Sequence, residues 1–143
     1  MADLDPLVRY RKHGVDEKRR ALAELYRQAE ELNQQKNAIE EEVAEETRIS
    51  EEQATVESAA YLGRYLQGAQ LRIDALTKSI QEMEVRIAIA QEDMRSAFAE
   101  MKKVEITQRN RDAREQAEEK RKEEQELDDI AIENYRRRQD EAD

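Results

Sequence analysis

Twelve apolar positions alternate at steps of three and four without a miss: Leu66, Ala69, Ile73, Leu76, Ile80, Met83, Ile87, Ala90, Met94, Ala97, Met101 and Val104. With 38% of the chain apolar, chance yields such a run in one fixed register about once in a hundred thousand trials. A heptad of this regularity dictates a helix with one apolar seam, and the seam requires a second helix to cover it. The first constraint is therefore a coiled coil, which holds, spans or pushes on partners and rarely does chemistry.

Composition narrows the reading. The chain has 143 residues, of which 42% are charged and 4% aromatic, with no tryptophan. That excludes a thick globular core, yet the apolar residues are gathered into stripes, so disorder does not follow. Three glycines and one proline leave the helices nearly uninterrupted. The absence of cysteine removes disulfide scaffolds and thiol catalysis and is compatible with a reducing compartment. No stretch approaches the roughly 20 consecutive apolar residues of a membrane span, and MADLDPLVRYRKHG lacks the apolar core of a signal peptide. A cytoplasmic protein without direct membrane insertion is expected. The net charge of −10 argues against nucleic-acid binding, which draws most of its affinity from a basic, phosphate-facing surface.

The first helix is expected to start at Asp5 and Pro6, an acidic cap followed by a residue that needs no amide hydrogen bond. Its seam passes through Val15, Leu22, Leu25, Ala29, Leu32, Ile39 and Val43, with Lys18 and Lys36 in the two intervening core slots. Gly14 marks a kink, a frayed turn or a tolerated glycine, at about 1 kcal/mol relative to alanine. Beyond Val43 the phase slips: Glu46 and Ser50 fall where apolar residues are due, while Ile49 and Val56 imply a shifted stripe. Gly63 and Gly68 follow within SAAYLGRYLQGAQL, and a glycine pair between two seams reads as the turn.

The expected fold is thus all-α, a long two-stranded antiparallel coiled-coil hairpin with unequal arms, forming one domain over 1–143. The sequence places a helix at 5–57, a turn region at 58–68 and a second helix at 69–139. At 1.5 Å per residue the arms measure about 80 and 110 Å. Pro6 then lies near residue 120, and residues 123–143 overhang. The overhang holds ELDDIAIENYRRR, with Leu127, Ile130, Ala131, Ile132 and Tyr135, an apolar cluster suited to docking. The mixed charges from Glu115 to Glu126, leading into the overhang, support helix through pairs worth ~0.3 kcal/mol each, with fraying expected there in the absence of a partner.

Charge is uneven. Glu40 to Glu52 carries seven Glu and one Arg, whereas Arg9 to Arg20 carries six Lys or Arg against two acids. An acidic turn end and a basic open end can orient a rod between two partners, and solvated helix faces give the same pattern. His13 is the only histidine, with tyrosine three positions before it, so the Glu-x-x-His pairs of helical carboxylate metal sites are missing. There is no phosphate loop, zinc spacing, calcium loop or nucleophile elbow. No enzyme, metal or cofactor is expected. Tyr61 and Tyr65, with Leu62 and Leu66, either close the core at the turn or offer a contact site. The seam methionines read as core filling, with adaptable partner binding as the lesser alternative.

The hairpin, the turn region YLGRYLQGAQLRI, the run MRSAFAEMKKVE and the ending LDDIAIENYRRR together resemble the FliJ proteins of bacterial flagellar type III protein export, over nearly the whole chain. The resemblance implies a cytoplasmic stalk, peripheral at the membrane export apparatus. Such a stalk enters and activates a hexameric export ATPase, couples it to the cytoplasmic domain of the export gate, and recruits export chaperones in flagellum biogenesis and motility. Carried onto this sequence, it implies ATPase-ring contacts at Leu7, Arg11, Arg19, Leu127, Ile130 and Tyr135. It implies export-gate contacts at Tyr61, Tyr65, Leu66, Ala69 and Leu76, although Ala69 and Leu76 belong to the seam and meet a partner only if the hairpin opens. Three other readings stand beside it: the equivalent stalk of a virulence injectisome, a coiled-coil scaffold or adaptor, and a chaperone that holds export substrates.

Overall fold

The computed structural model describes residues 4–142. It contains two α-helices, α1 over Asp5–Gln53 and α2 over Val56–Ala142, and no strand among the described residues. The fold is an all-α antiparallel helical hairpin with arms of 49 and 87 residues. The chain divides into two compact units, one of residues 13–98 and one of residues 1–12 with 99–143.

The unit of residues 13–98 contains the turn, and the turn is not at the glycines. α1 ends at Gln53, Ala54 adopts a φ of 50°, and α2 begins at Val56. The Ala54 amide donates to the Ser50 carbonyl at 3.0 Å, closing α1 with a left-handed residue. Thr55 then caps α2. Its Oγ1 accepts from the Ser58 amide at 3.0 Å, while the Thr55 amide donates to Ser58 Oγ at 3.2 Å, the reciprocal arrangement of a capping box. Only two residues separate the helices, so they must run antiparallel. Gly63 and Gly68 lie inside α2 on its exposed side, and a Cβ at either would meet nothing within 4 Å. Glycine lowers helix propensity without forbidding the helix, and here the caps decide where the chain reverses.

Packing follows the heptad. In this unit the α2 seam is buried or half-buried from Ala69 to Ala97, and Leu66 at its start is 37% exposed. On α1, Val15, Leu22 and Ile39 are buried. Leu25, Ala29, Leu32, Lys36 and Val43 are half-buried, and Lys18 is exposed. The expected phase slip does not occur: Glu46 and Ser50 are half-buried on the continuing seam, and Val56 is 88% exposed. Ile49 is half-buried beside the seam. Polar seam residues are tolerated there because the pair of helices is narrow and water reaches the edges of each layer. Tyr26 Oη accepts from Gln91 Nε2 at 2.7 Å across the helices, and Arg72 faces Glu42 at 3.9 Å.

In the unit of residues 1–12 with 99–143, the start of α1 lies against α2. Leu4 and Val8 are half-buried, Met101 is buried and Val104 half-buried. The Leu4 carbonyl accepts the Val8 amide at 2.9 Å, and the Leu4 amide donates to Gln108 Oε1 at 2.9 Å. Leu4, not Asp5, therefore holds the capping position, and Asp5 stands one place inside, where its charge suits the helix N-terminus. Gln108 fixes the register, placing the first turn of α1 near residue 108 and not near residue 120. The earlier reversal at Ala54 accounts for that difference. The last half-buried residue is Glu115, and residues 116–142 are all exposed, so the unpartnered segment starts before the expected residue 123.

Candidate functional site

The unpartnered end of α2 is the first candidate. Beyond Glu115 the seam positions become Glu118, Lys122, Gln125, Asp129, Ile132 and Arg136, of which Ile132 alone is apolar, too little to continue the stripe. Instead Leu127, Ile130, Ala131 and Tyr135 fall at i, i+3, i+4 and i+8, on one helix face. Leu127, Ile130 and Tyr135 are 64%, 55% and 63% exposed. This stripe is rotated away from the hairpin seam, so it is a separate apolar surface and not a continuation of the core. The hydrogen bonds here run along the helix: Arg137 to Glu133 at 3.1 Å and Gln139 Nε2 to Tyr135 Oη at 3.1 Å. An isolated helix with one apolar face gains burial only against another surface, a groove or a second helix.

Leu7 and Arg11 are exposed on the first turns of α1, in the same unit as the tail. They do not join its stripe. Leu4 meets Gln108, and Leu127 stands nineteen residues further along α2, about 28 Å at 1.5 Å per residue. Arg19, in the unit of residues 13–98, is exposed, with a loose pair to Asp16 at 3.8 Å.

The second candidate is the start of α2. Tyr61 and Tyr65 stack with ring centroids 6.4 Å apart and planes at 25°, one helical turn apart. Tyr65 Oη donates to Glu42 Oε2 at 3.2 Å, and Glu42 also faces Arg72. Burial of the ring region, then the Glu42 carboxylate, push the Tyr65 hydroxyl above its usual range. The pair of rings therefore closes part of the core edge and also presents surface: Tyr61 is 54% exposed and Tyr65 half-buried. Leu66 is partly exposed beside them. Ala69 is buried at 1% and Leu76 half-buried, both facing α1, so the five expected gate residues divide into three that reach solvent and two that hold the hairpin.

Large apolar residues are also exposed off the seam. Leu71, Val85 and Ile89 on α2 are 72%, 60% and 59% exposed. With the seam at the a and d positions of the heptad, Leu71 and Val85 fall at f and Ile89 at c, positions which a soluble hairpin normally fills with charge.

The electrostatics are those of solvated helix faces. Arg27 bridges Glu24 and Glu31, each at 2.6 Å, and three heptads later Arg48 bridges Glu45 and Glu52, each at 2.6 Å. The Arg27 guanidinium holds the Glu24 carboxyl down to about 2, from 4.5, and Arg48 lowers Glu45 in the same way. His13 pairs with Glu17 at 3.0 Å on the exposed side of α1. Among the described residues no group of three or more His, Cys, Asp or Glu is placed to hold a metal ion. No helix among them is long and apolar enough to cross a membrane.

Comparison with curated proteins and with solved structures returned no match. A family model does match: the one described as Flagellar FliJ protein covers residues 1–140 of the 143. With the helical hairpin and a match over nearly its whole length, this chain belongs to the FliJ family and is a component of the flagellar export apparatus.

Proposed function

We propose that this protein is the stalk of the flagellar type III export apparatus, a non-enzymatic rod that enters the hexameric export ATPase, raises its rate of ATP hydrolysis and links it to the export gate. The observation that supports this reading is the exposed single-helix segment of residues 116–142, carrying Leu127, Ile130 and Tyr135 on a face that α1 does not cover. A lone amphipathic helix is the form in which a rod can lie along the inner wall of a ring. Arg11 and Arg19 add a basic approach to an acidic lumen, an attraction that acts over about a Debye length and weakens with salt.

In this account Tyr61, Tyr65 and Leu66 meet the cytoplasmic domain of the export gate at the cytoplasmic face of the membrane. Ala69 and Leu76 join them only where the hairpin opens. Export chaperones are further partners on the same rod.

The test is co-sedimentation of the protein with the assembled hexameric ATPase of its own organism. Replacing Leu127, Ile130 and Tyr135 together by serine leaves the hairpin seam untouched and should abolish co-sedimentation while helicity by circular dichroism stays near wild type. Full binding by that variant would refute the tail as the ring contact.

A further inference from the structure

The outer face of α2 is unlike the outer face of α1. Along α1 the solvent-facing c and f positions read Glu24, Arg27, Glu31, Gln34, Ala38, Glu41, Glu45, Arg48 and Glu52, as expected for a face in water. Within the same unit of residues 13–98, the corresponding stripe of α2 reads Leu71, Ala75, Lys78, Glu82, Val85 and Ile89, at steps of four, three, four, three and four. All six are exposed. Three large apolar side chains at heptad spacing on the side away from α1 form a second seam, and none of the described residues covers it.

The order of residues in that stripe carries a further property. Read forwards it is apolar, apolar, cation, anion, apolar, apolar; read backwards, apolar residues meet apolar ones and each charge meets its opposite. We infer that the stripe pairs with a second copy of this chain, the two α2 helices lying back to back and antiparallel about a two-fold axis at residue 80. Leu71 then packs on Ile89 of the second copy, Ala75 on Val85, and Lys78 on Glu82, and every contact occurs twice, as an isologous interface requires.

The register is unique among its neighbours. Sliding by one heptad in one direction sets Leu71 against Glu82 and Ala75 against Lys78; in the other it sets Lys78 against Ile89 and Glu82 against Val85. Both shifts bury charge against apolar groups, which selects the two-fold register by exclusion as well as by attraction. Ala75 lets the two backbones approach closely at the layer beside the charges. The contact spans about five helical turns, at the small end of specific interfaces, below ~1,200 Å², so the dimer forms reversibly with concentration. Because it covers the back of α2 in both copies, self-association and the docking of any other partner on that face exclude one another.

Sedimentation equilibrium of the full chain, over a concentration series reaching several hundred micromolar in low salt, tests the pairing. The account expects the mass to rise from the 16.8 kDa monomer towards twice that value. Lys78→Glu alone sets Glu against Glu at both charge layers, and Glu82→Lys alone sets Lys against Lys; each should weaken association about tenfold. The double variant Lys78→Glu with Glu82→Lys restores both pairs and should recover wild-type association, and mixing the two single variants should produce the heterodimer. All of these positions are exposed, and circular dichroism verifies that each variant keeps its helix. A mass of one chain throughout the series overturns the inference, as does association that ignores the charge swap.

Discussion

The turn at Ala54 makes a sharp prediction. A non-glycine residue at a φ of 50° bears a steric cost of about 1–2 kcal/mol, which glycine does not. Glycine also loosens the unfolded chain by about 0.4–1 kcal/mol, so Ala54→Gly should stabilise the protein by a net ~0.5–1 kcal/mol. Gly63→Ala is the companion variant. Gly63 is helical and exposed, with open space where the methyl group would go, and alanine there should contribute up to about 1 kcal/mol through helix propensity. Both changes should raise the midpoint of thermal unfolding, followed by circular dichroism at the helical band, by roughly 2–5 °C each. If the chain instead reversed at the glycines, Gly63→Ala would lower the midpoint and Ala54→Gly would cost helix propensity. That pair of results would refute the capped two-residue turn.

Three further outcomes follow from the same packing and charge pattern. Thr55→Ala removes the side-chain acceptor of the Ser58 amide and should cost about 1 kcal/mol, read as a lower unfolding midpoint. Met83→Ala, at a seam position only 8% exposed, should cost about 2–3 kcal/mol, whereas Val85→Ala two residues away, 60% exposed, should stay within ~0.5 kcal/mol in dilute solution; equal effects would contradict the seam. Glu24 titrates near 2 in the folded chain against 4.5 ordinarily, and Glu45 is lowered too. Unfolded carboxyls therefore take up protons first, so the stabilisation from the Glu24 pair is complete above about pH 4.5 and is lost as pH falls towards 2. In an acid titration of the unfolding midpoint, Glu24→Gln should flatten part of that decline; an unchanged profile would remove the pair from the account.

The fold class was legible because a strict heptad leaves few alternatives, and the buried positions of α2 from Ala69 to Val104 are the ones the spacing selects. The turn was not. Two glycines five residues apart outweighed Thr55 and Ser58, whose capping box uses serine at a place where glutamate or glutamine is the usual signal. Glu46 and Ser50 masked the end of the α1 seam for a related reason: heptad reading weighs side-chain polarity, whereas a narrow pair of helices accepts polar residues wherever water reaches. Leu4 and Val8 extend the seam at the other end, and Gln108 anchors it by hydrogen-bonding the Leu4 amide, a role that no periodicity reveals.

Of the expected contact residues, Leu127, Ile130 and Tyr135 stood out by being apolar and beyond the reach of α1, and they are exposed. Ala69 and Leu76 carry their apolar character for the seam itself. Leu71, Val85 and Ile89 lie on the face opposite the seam, where the dominant heptad carries no information about them. Their exposure follows from the seam register, which contacts such as Tyr26 with Gln91 hold in place.

The rate of ATP hydrolysis by the flagellar export ATPase of the same organism, measured with and without this protein at matched ionic strength, tests the central proposal most directly. The account predicts stimulation by the full chain and its loss on removing residues 116–143, with the hairpin still folded. Unchanged hydrolysis with the full chain, or equal stimulation by the shortened one, would contradict a stalk that works through its exposed tail.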